Sequence, residues 1–127
     1  MLYLTTYRAF GQVFLLFDPR RSDCSEEAVL HLARSRSFCL QADWILVGPL
    51  SGPGWQLRIF RPDGTPCGIC PAAAGVFAQY LTDAGYTAAQ RLMIRCGGAH
   101  LPVLLRPNCI VRQSTCSEEE IRNALSL

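Results

Sequence analysis

Short apolar runs bounded by turn residues alternate along this chain with stretches of helical periodicity. Residues 3–7 and 13–18 read as two β-strands, with Gly11 supplying the turn between them. Asp23-Cys24-Ser25-Glu26 has the form of a capping box. It opens a helix to about Arg36, in which Ala28, Val29, Leu32 and Ala33 share one buried face. Residues 43–47 form a strand, 48–54 a loop rich in glycine and proline, and 55–61 the returning antiparallel partner. Asp63-Gly64 makes another turn. Pro71 suits the first residue of a second helix, which runs to about Asp83 and closes at Gly85. Strands are expected at 91–96, 101–105 and 109–112, and Ser117-Glu118-Glu119-Glu120 opens a C-terminal helix over about 117–127. The order β-β-α-β-β-α-β-β-β-α predicts a single α+β domain over residues 1–127 with mostly antiparallel pairing.

Composition narrows the chemistry. A chain of 127 residues with 50% hydrophobic positions can bury a core without disulfides or a structural metal. Charged residues make up 17% and the net charge is +2, which excludes a disordered tail and points away from nucleic acid as a partner. All 12 basic residues are arginine, so a lysine Schiff base, and with it ordinary pyridoxal-phosphate chemistry, is excluded within this chain. The first eight residues lack the basic-then-apolar order of a secretory signal, and the apolar runs are too short to cross a bilayer. A cytoplasmic protein without a membrane partner is expected, its 7 cysteines reduced and mostly buried in the core.

The segment from Phe60 to Leu81 carries the candidate chemistry. With Pro71 as first helical residue, Cys70 is the N-cap, where unpaired backbone N–H groups and the helix dipole favour thiolate over thiol. The same amides could hold a substrate carboxylate. An inert cysteine at a helix start is the plain alternative. Cys67 and Cys70 also form a Cys-x-x-Cys pair, but no second pair exists and neither His31 nor His100 has zinc-ligand spacing, so no metal is expected. A dithiol redox centre of the thioredoxin kind wants a strand immediately before the pair, whereas Pro62, Asp63, Gly64 and Pro66 make a loop. His31 reads as a surface residue and His100 as a hairpin-turn residue. Gly97-Gly98 lacks the spacing of a phosphate-cradling loop, and Glu118–Glu120 reads as a solvated first helical turn. Trp44 and Trp55 suit a core or a pocket wall equally well.

Arg58-Ile59-Phe60-Arg61-Pro62-Asp63-Gly64, five residues, then Cys70 and a helix with Phe77-Ala78-Gln79-Tyr80 resembles the diaminopimelate epimerase family. The family pattern is Phe-Asn-x-Asp-Gly, five residues, then a catalytic Cys-Gly-Asn-Gly. Tyr7 to Asp18 is similar to the family's N-terminal Gly-x-Gly-Asn-x-Phe hairpin, and Gln41 to Val47 to its Gly-Ala-Asp strand. The resemblance covers nearly all of this chain but only the first half of the family. It implies a mixed, mostly antiparallel, barrel-like sheet wrapped around a central helix, with Cys70 on the catalytic cysteine.

In that family two such domains face a central cleft, each contributing one cysteine. One thiolate takes the α-proton of an amino acid and the other thiol returns a proton from the opposite face, without a cofactor. Two sulfurs each about 3 to 3.5 Å from one carbon must stand about 6 to 7 Å apart, so one domain cannot supply both. The resemblance thus implies a cofactor-independent racemase or epimerase whose site is completed by a second copy in a homodimer, or by a complementary half-chain. Its substrate would be an amino acid or another small carboxylate-bearing compound. By position, Gln12, Arg61, Ala72 and Ala73 would bind that substrate, with Arg61 able to grip a carboxylate bidentately or to be a surface arginine. Departures are marked: Pro71-Ala72-Ala73 replaces Gly-Asn-Gly, and Arg61 and Gln12 replace asparagines, so diaminopimelate itself is not the expected substrate. The competing reading is a repurposed or non-catalytic subunit that keeps the epimerase fold and binds a ligand or partner.

Overall fold

The computed structural model describes residues 3–36, 42–105 and 112–115. Strands β1 (Leu4–Ala9) and β2 (Gln12–Phe17) form a hairpin whose ladder runs from Leu4 opposite Phe17 to Ala9 opposite Gln12. Phe10 and Gly11 make a two-residue turn with φ of 54° and 71°, matching the twist of the paired strands. Helix α1 (Glu26–Arg36) begins later than the Asp23 signal predicted, because Ser25 is the cap. Its Oγ accepts from the Ala28 N–H at 3.2 Å, and its carbonyl takes the first helical bond from Val29.

Strand β3 (Trp44–Leu50) pairs parallel with β2 across the α1 crossover, and β4 (Trp55–Phe60) returns antiparallel to β3. The two-residue strand β5 (Pro66–Cys67), which no periodicity announced, pairs with β4. Helix α2 (Pro71–Asp83) then crosses to β6 (Arg91–Cys96), parallel to β4, and β7 (Ala99–Leu104) closes a hairpin with β6. His100 therefore lies in β7 opposite Arg95 and not in the turn, which is Gly97-Gly98 alone. Strand β8 (Arg112–Thr115) pairs antiparallel with β1. Residues 109–111 of the strand expected there and the C-terminal helix at 117–127 lie outside the described residues.

The sheet order is β7-β6-β4-β3-β2-β1-β8, and all described pairings except β2–β3 and β4–β6 are antiparallel. Alternate residues divide between two cores, as the two-residue period of a strand requires. Tyr7, Phe14, Leu16, Leu46, Leu57, Ile59 and Ile94 face α2. Leu4, Leu15, Phe17, Ile45, Val47 and Phe60 pack with Val29 and Ala33 of α1 on the opposite face. Helix α2 touches β2, β3, β4, β6 and β7, so it is the central helix inside the curved sheet. This is the α+β arrangement expected from the sequence.

Two corrections concern the ends of elements. Residues 48–50 continue β3 and are not loop; a register shift between Val47 and Leu50 absorbs the irregularity. Gly48 is needed there because a Cβ would sit 2.8 Å from a ring carbon of the fully buried Phe77 and 3.0 Å from the Gln56 carbonyl oxygen. Gly48→Ala is expected to cost about 1 to 3 kcal/mol by overpacking, read as a lower urea midpoint at unchanged slope. At the other end of α2, Gly85 has φ of 81°, its N–H donates to Thr82 at 3.1 Å, and Tyr86 N–H donates to Leu81 at 2.9 Å. That paired closure stops the helix where the glycine predicted it.

Candidate functional site

Cys70 is the N-cap of α2, with extended backbone (φ −132°, ψ 110°) and a half-buried side chain that makes no capping hydrogen bond. Its carbonyl accepts the first helical bond, from Ala74 N–H at 2.9 Å. Pro71 at the first position has no N–H, so the Ala72 and Ala73 amides are the donors left at this helix start. Ala72 is half-buried, while the Ala73 side chain is fully buried against the sheet. Any part that Ala73 takes in binding is therefore played by its backbone. A sulfur in this position meets the positive end of a 13-residue helix.

Two further thiols approach the same helix end. Cys67 lies half-buried on β5 and Cys96 buried at the end of β6, and both pack with Cys70 against the α2 core. The Cys96 Sγ stands 3.6 Å from the Gly68 carbonyl oxygen. Burial pushes the Cys96 thiol up; Cys67 and, more weakly, Cys70 add to this, while Arg58 opposes it. No group of three or more metal-ligating side chains occurs among the described residues.

The other sequence-predicted positions, Gln12 and Arg61, lie on β2 and in the turn that follows β4. Gln12 begins β2, and its Oε1 accepts from Trp44 Nε1 at 3.3 Å. Trp44 and Trp55 are half-buried against the α2 core. Arg61 is exposed, and its backbone closes the turn below β4 through Arg61 N–H to Thr65 O and Gly64 N–H to Arg61 O, both 2.9 Å. In that turn Asp63 is held below the usual carboxylate range, chiefly by the Thr65 hydroxyl and backbone N–H and further by Arg61. An open groove of about 680 Å³ runs between this turn and Glu27, His31 and Arg34 of α1. His31 is exposed, as expected. The groove adjoins the α1 face of the sheet, where the Arg34 guanidinium sits 5.7 Å from the Phe60 ring centre.

Sequence reasoning missed a buried polar hub at the far end of α2. Asp18 is fully buried and accepts hydrogen bonds from the Tyr80 hydroxyl, from the Tyr86 hydroxyl at 2.8 Å and from Arg20 N–H at 2.9 Å, with Arg21 Nε at 3.9 Å. Tyr7 donates to Asp83 at 2.8 Å and packs edge-on against Tyr80. Burial, then the bond to Asp18 and its charge, pushes Tyr86 up to about 12, and the same causes push Tyr80 higher still. The folded protein therefore holds the Tyr86 proton more tightly than the unfolded chain, whose tyrosines titrate near 10.0. This stabilisation is complete below pH 10 and is lost as pH rises through 12. A urea midpoint that falls between pH 10 and 12, and falls less in Tyr86→Phe, is the expected result. A midpoint flat over that window contradicts it.

No protein-family profile matches the chain. Among curated proteins it is 30% identical over 96 residues to diaminopimelate epimerase 2 of Nostoc sp., and 29% identical over 109 residues to the diaminopimelate epimerase of Pelotomaculum thermopropionicum. These matches take in 72% and 82% of this chain but 33% and 39% of the relatives, so it spans well under half of their length. Among solved structures it superposes on a phenazine biosynthesis protein of the PhzF family from Enterococcus faecalis with a TM-score of 0.64 at 18% identity, covering 84% of this chain and 42% of that one. A PhzC/PhzF protein from Clostridium difficile gives 0.67 at 13% identity, over 85% and 42%. At such identities these superpositions speak to fold alone, and the PhzF family shares the diaminopimelate-epimerase-like fold. No helix among the described residues is long and apolar enough to cross a membrane. In sequence and in fold, therefore, this chain is a relative of the diaminopimelate epimerase family.

Proposed function

We propose that the chain is one half of a cofactor-independent amino-acid racemase or epimerase, with Cys70 as its proton-transferring thiol. The observation that carries this reading is the half-buried, uncapped sulfur of Cys70 at the start of the central helix. A thiol so placed can take or return an α-proton, and the amides of Ala72 and Ala73 face the place where a carboxylate would gather charge. Arg61 and Gln12 complete the proposed binding residues. Inversion needs a second thiol on the opposite face of the α-carbon, and a twofold-related copy supplies it from its own Cys70. A cytoplasmic homodimer acting on a small amino acid or related carboxylate is the form proposed.

The test pairs mass in solution with deuterium incorporation at the α-carbon across a panel of free amino acids in deuterated water. A dimer that exchanges at least one of them is expected. A monomer under assay conditions, or a dimer that exchanges none, overturns the two-thiol reading.

A second reading has its own observation. Pro71 removes one donor, and the buried Ala73 offers no side chain to a ligand, so this helix start lacks the polar cradle of the family pattern. A repurposed subunit that binds small carboxylates without exchanging their α-protons fits that loss. Calorimetric binding without exchange favours it.

A further inference from the structure

The sheet register places two thiols together that lie far apart in sequence. On one edge of β4, β3 occupies the positions beside Ile59 and Phe60, so β5 and β6 share the other edge end to end. Cys67 stands opposite Ile59 and Cys96 opposite Leu57. Paired residues point to one face of a sheet, and Leu57 and Ile59 both face α2, so both cysteines do too. They are two residues apart along β4, a separation of about 6.6 to 6.8 Å between backbones. That falls at the upper end of the usual Cα separation for a disulfide, about 4.4 to 6.8 Å, and closure draws the short edge strand β5 toward the end of β6 so that the two Cβ atoms come within about 3.5 to 4.5 Å. The Cys96 sulfur already reaches the segment that follows Cys67, 3.6 Å from the Gly68 carbonyl oxygen. Cys67 is partly exposed and Cys96 is buried, which sets the order in which a reagent meets them.

We propose that Cys67 and Cys96 form a redox-active pair that closes to a disulfide by exchange with low-molecular-weight disulfides of the glutathione class. The Cys67 thiolate attacks one sulfur of the reagent, giving a mixed disulfide and releasing one reagent thiolate. Cys96 then gives up its proton and its sulfur attacks the Cys67 sulfur, expelling the second thiolate. The two protons lost by the cysteines leave on the two reagent thiols. The protein dithiol is oxidised by two electrons and the reagent disulfide is reduced by two. The closed bridge ties β5 to the end of β6 and so pins the Gly68-Ile69 link that leads into Cys70, while leaving the Cys70 thiol free. This pairing differs from the Cys67–Cys70 dithiol that the Cys-x-x-Cys spacing alone suggests. It stands whether or not Cys70 is catalytic, because its readout is a peptide map and not turnover.

The experiment titrates the folded chain with glutathione disulfide, alkylates the remaining thiols and digests it unreduced with trypsin and chymotrypsin. With no lysine present, trypsin cuts only after arginine and leaves Cys67 and Cys70 in one peptide; chymotrypsin cleaves after Leu104 and separates Cys96 from Cys109. Expected is a cross-linked pair of peptides with fragment ions that place the bond at Cys67 and Cys96, and with Cys70 alkylated. The cross-link persists in Cys70→Ser and is lost in Cys67→Ser, whose change at a half-exposed edge strand the fold tolerates. A bond from Cys70 to either partner, or glutathione adducts with no bond between Cys67 and Cys96, overturns the proposal.

Discussion

Cys70→Ser is expected to slow α-proton exchange by on the order of 10² to 10⁴, the usual contribution of one positioned acid–base group. A serine hydroxyl is a far weaker acid than a thiol, so almost no alkoxide is available to take the α-proton at neutral pH. Unfolding cannot be the cause of the loss. Cys70 sits at an N-cap without a side-chain hydrogen bond, and serine is among the residues best suited to that position. The variant should match the parent in stability or exceed it by up to about 1 kcal/mol. Deuterium incorporation and the urea midpoint, measured on the same preparation, separate the two effects. Exchange that survives the substitution at full rate would leave the thiol without a role and favour the subunit reading.

Asp18→Ala is expected to destabilise the protein by about 2 to 3 kcal/mol, the upper range for leaving a buried hydroxyl without its acceptor. The carboxylate has no exposure and receives the hydroxyls of Tyr80 and Tyr86 together with the Arg20 amide. Tyr80 is itself fully buried, so its hydroxyl loses its acceptor with no water to replace it. Tyr86 is partly exposed and recovers more easily. The hub ties the end of β2 to the last turns of α2 and to the loop beyond it, so its loss should loosen the central helix at the end opposite Cys70. A urea midpoint within about 1 kcal/mol of the parent would mean that the tyrosines find other acceptors.

The parts legible in the sequence are those governed by neighbouring residues. Pro71 and Gly85 bound α2 because a missing N–H suits a first turn and a left-handed φ suits a last one. Gly11 marks the first hairpin for a similar reason. Cys70 follows directly, since the residue before Pro71 is the cap. Where two local signals competed, the reading slipped: Asp23 and Ser25 both resemble caps, and the register of the helix decided for Ser25. Gly48-Pro49 reads as a break, yet β3 continues through it because Phe77 of α2 needs the space that only glycine leaves.

Contacts between distant segments had no local signature at all. Asp18 meets Tyr80 and Tyr86 across 62 and 68 positions, and nothing around Asp18 distinguishes a buried acceptor from an ordinary turn aspartate. Cys67 and Cys96 become neighbours only because β5 and β6 share one edge of β4. The local backbone preferences of proline, glycine and capping residues act within one or two turns of chain, so helix limits and the capping cysteine can be read in order along the sequence. Strand register and buried hydrogen bonds depend on which elements meet, and that is settled by packing two apolar faces of one sheet against two helices.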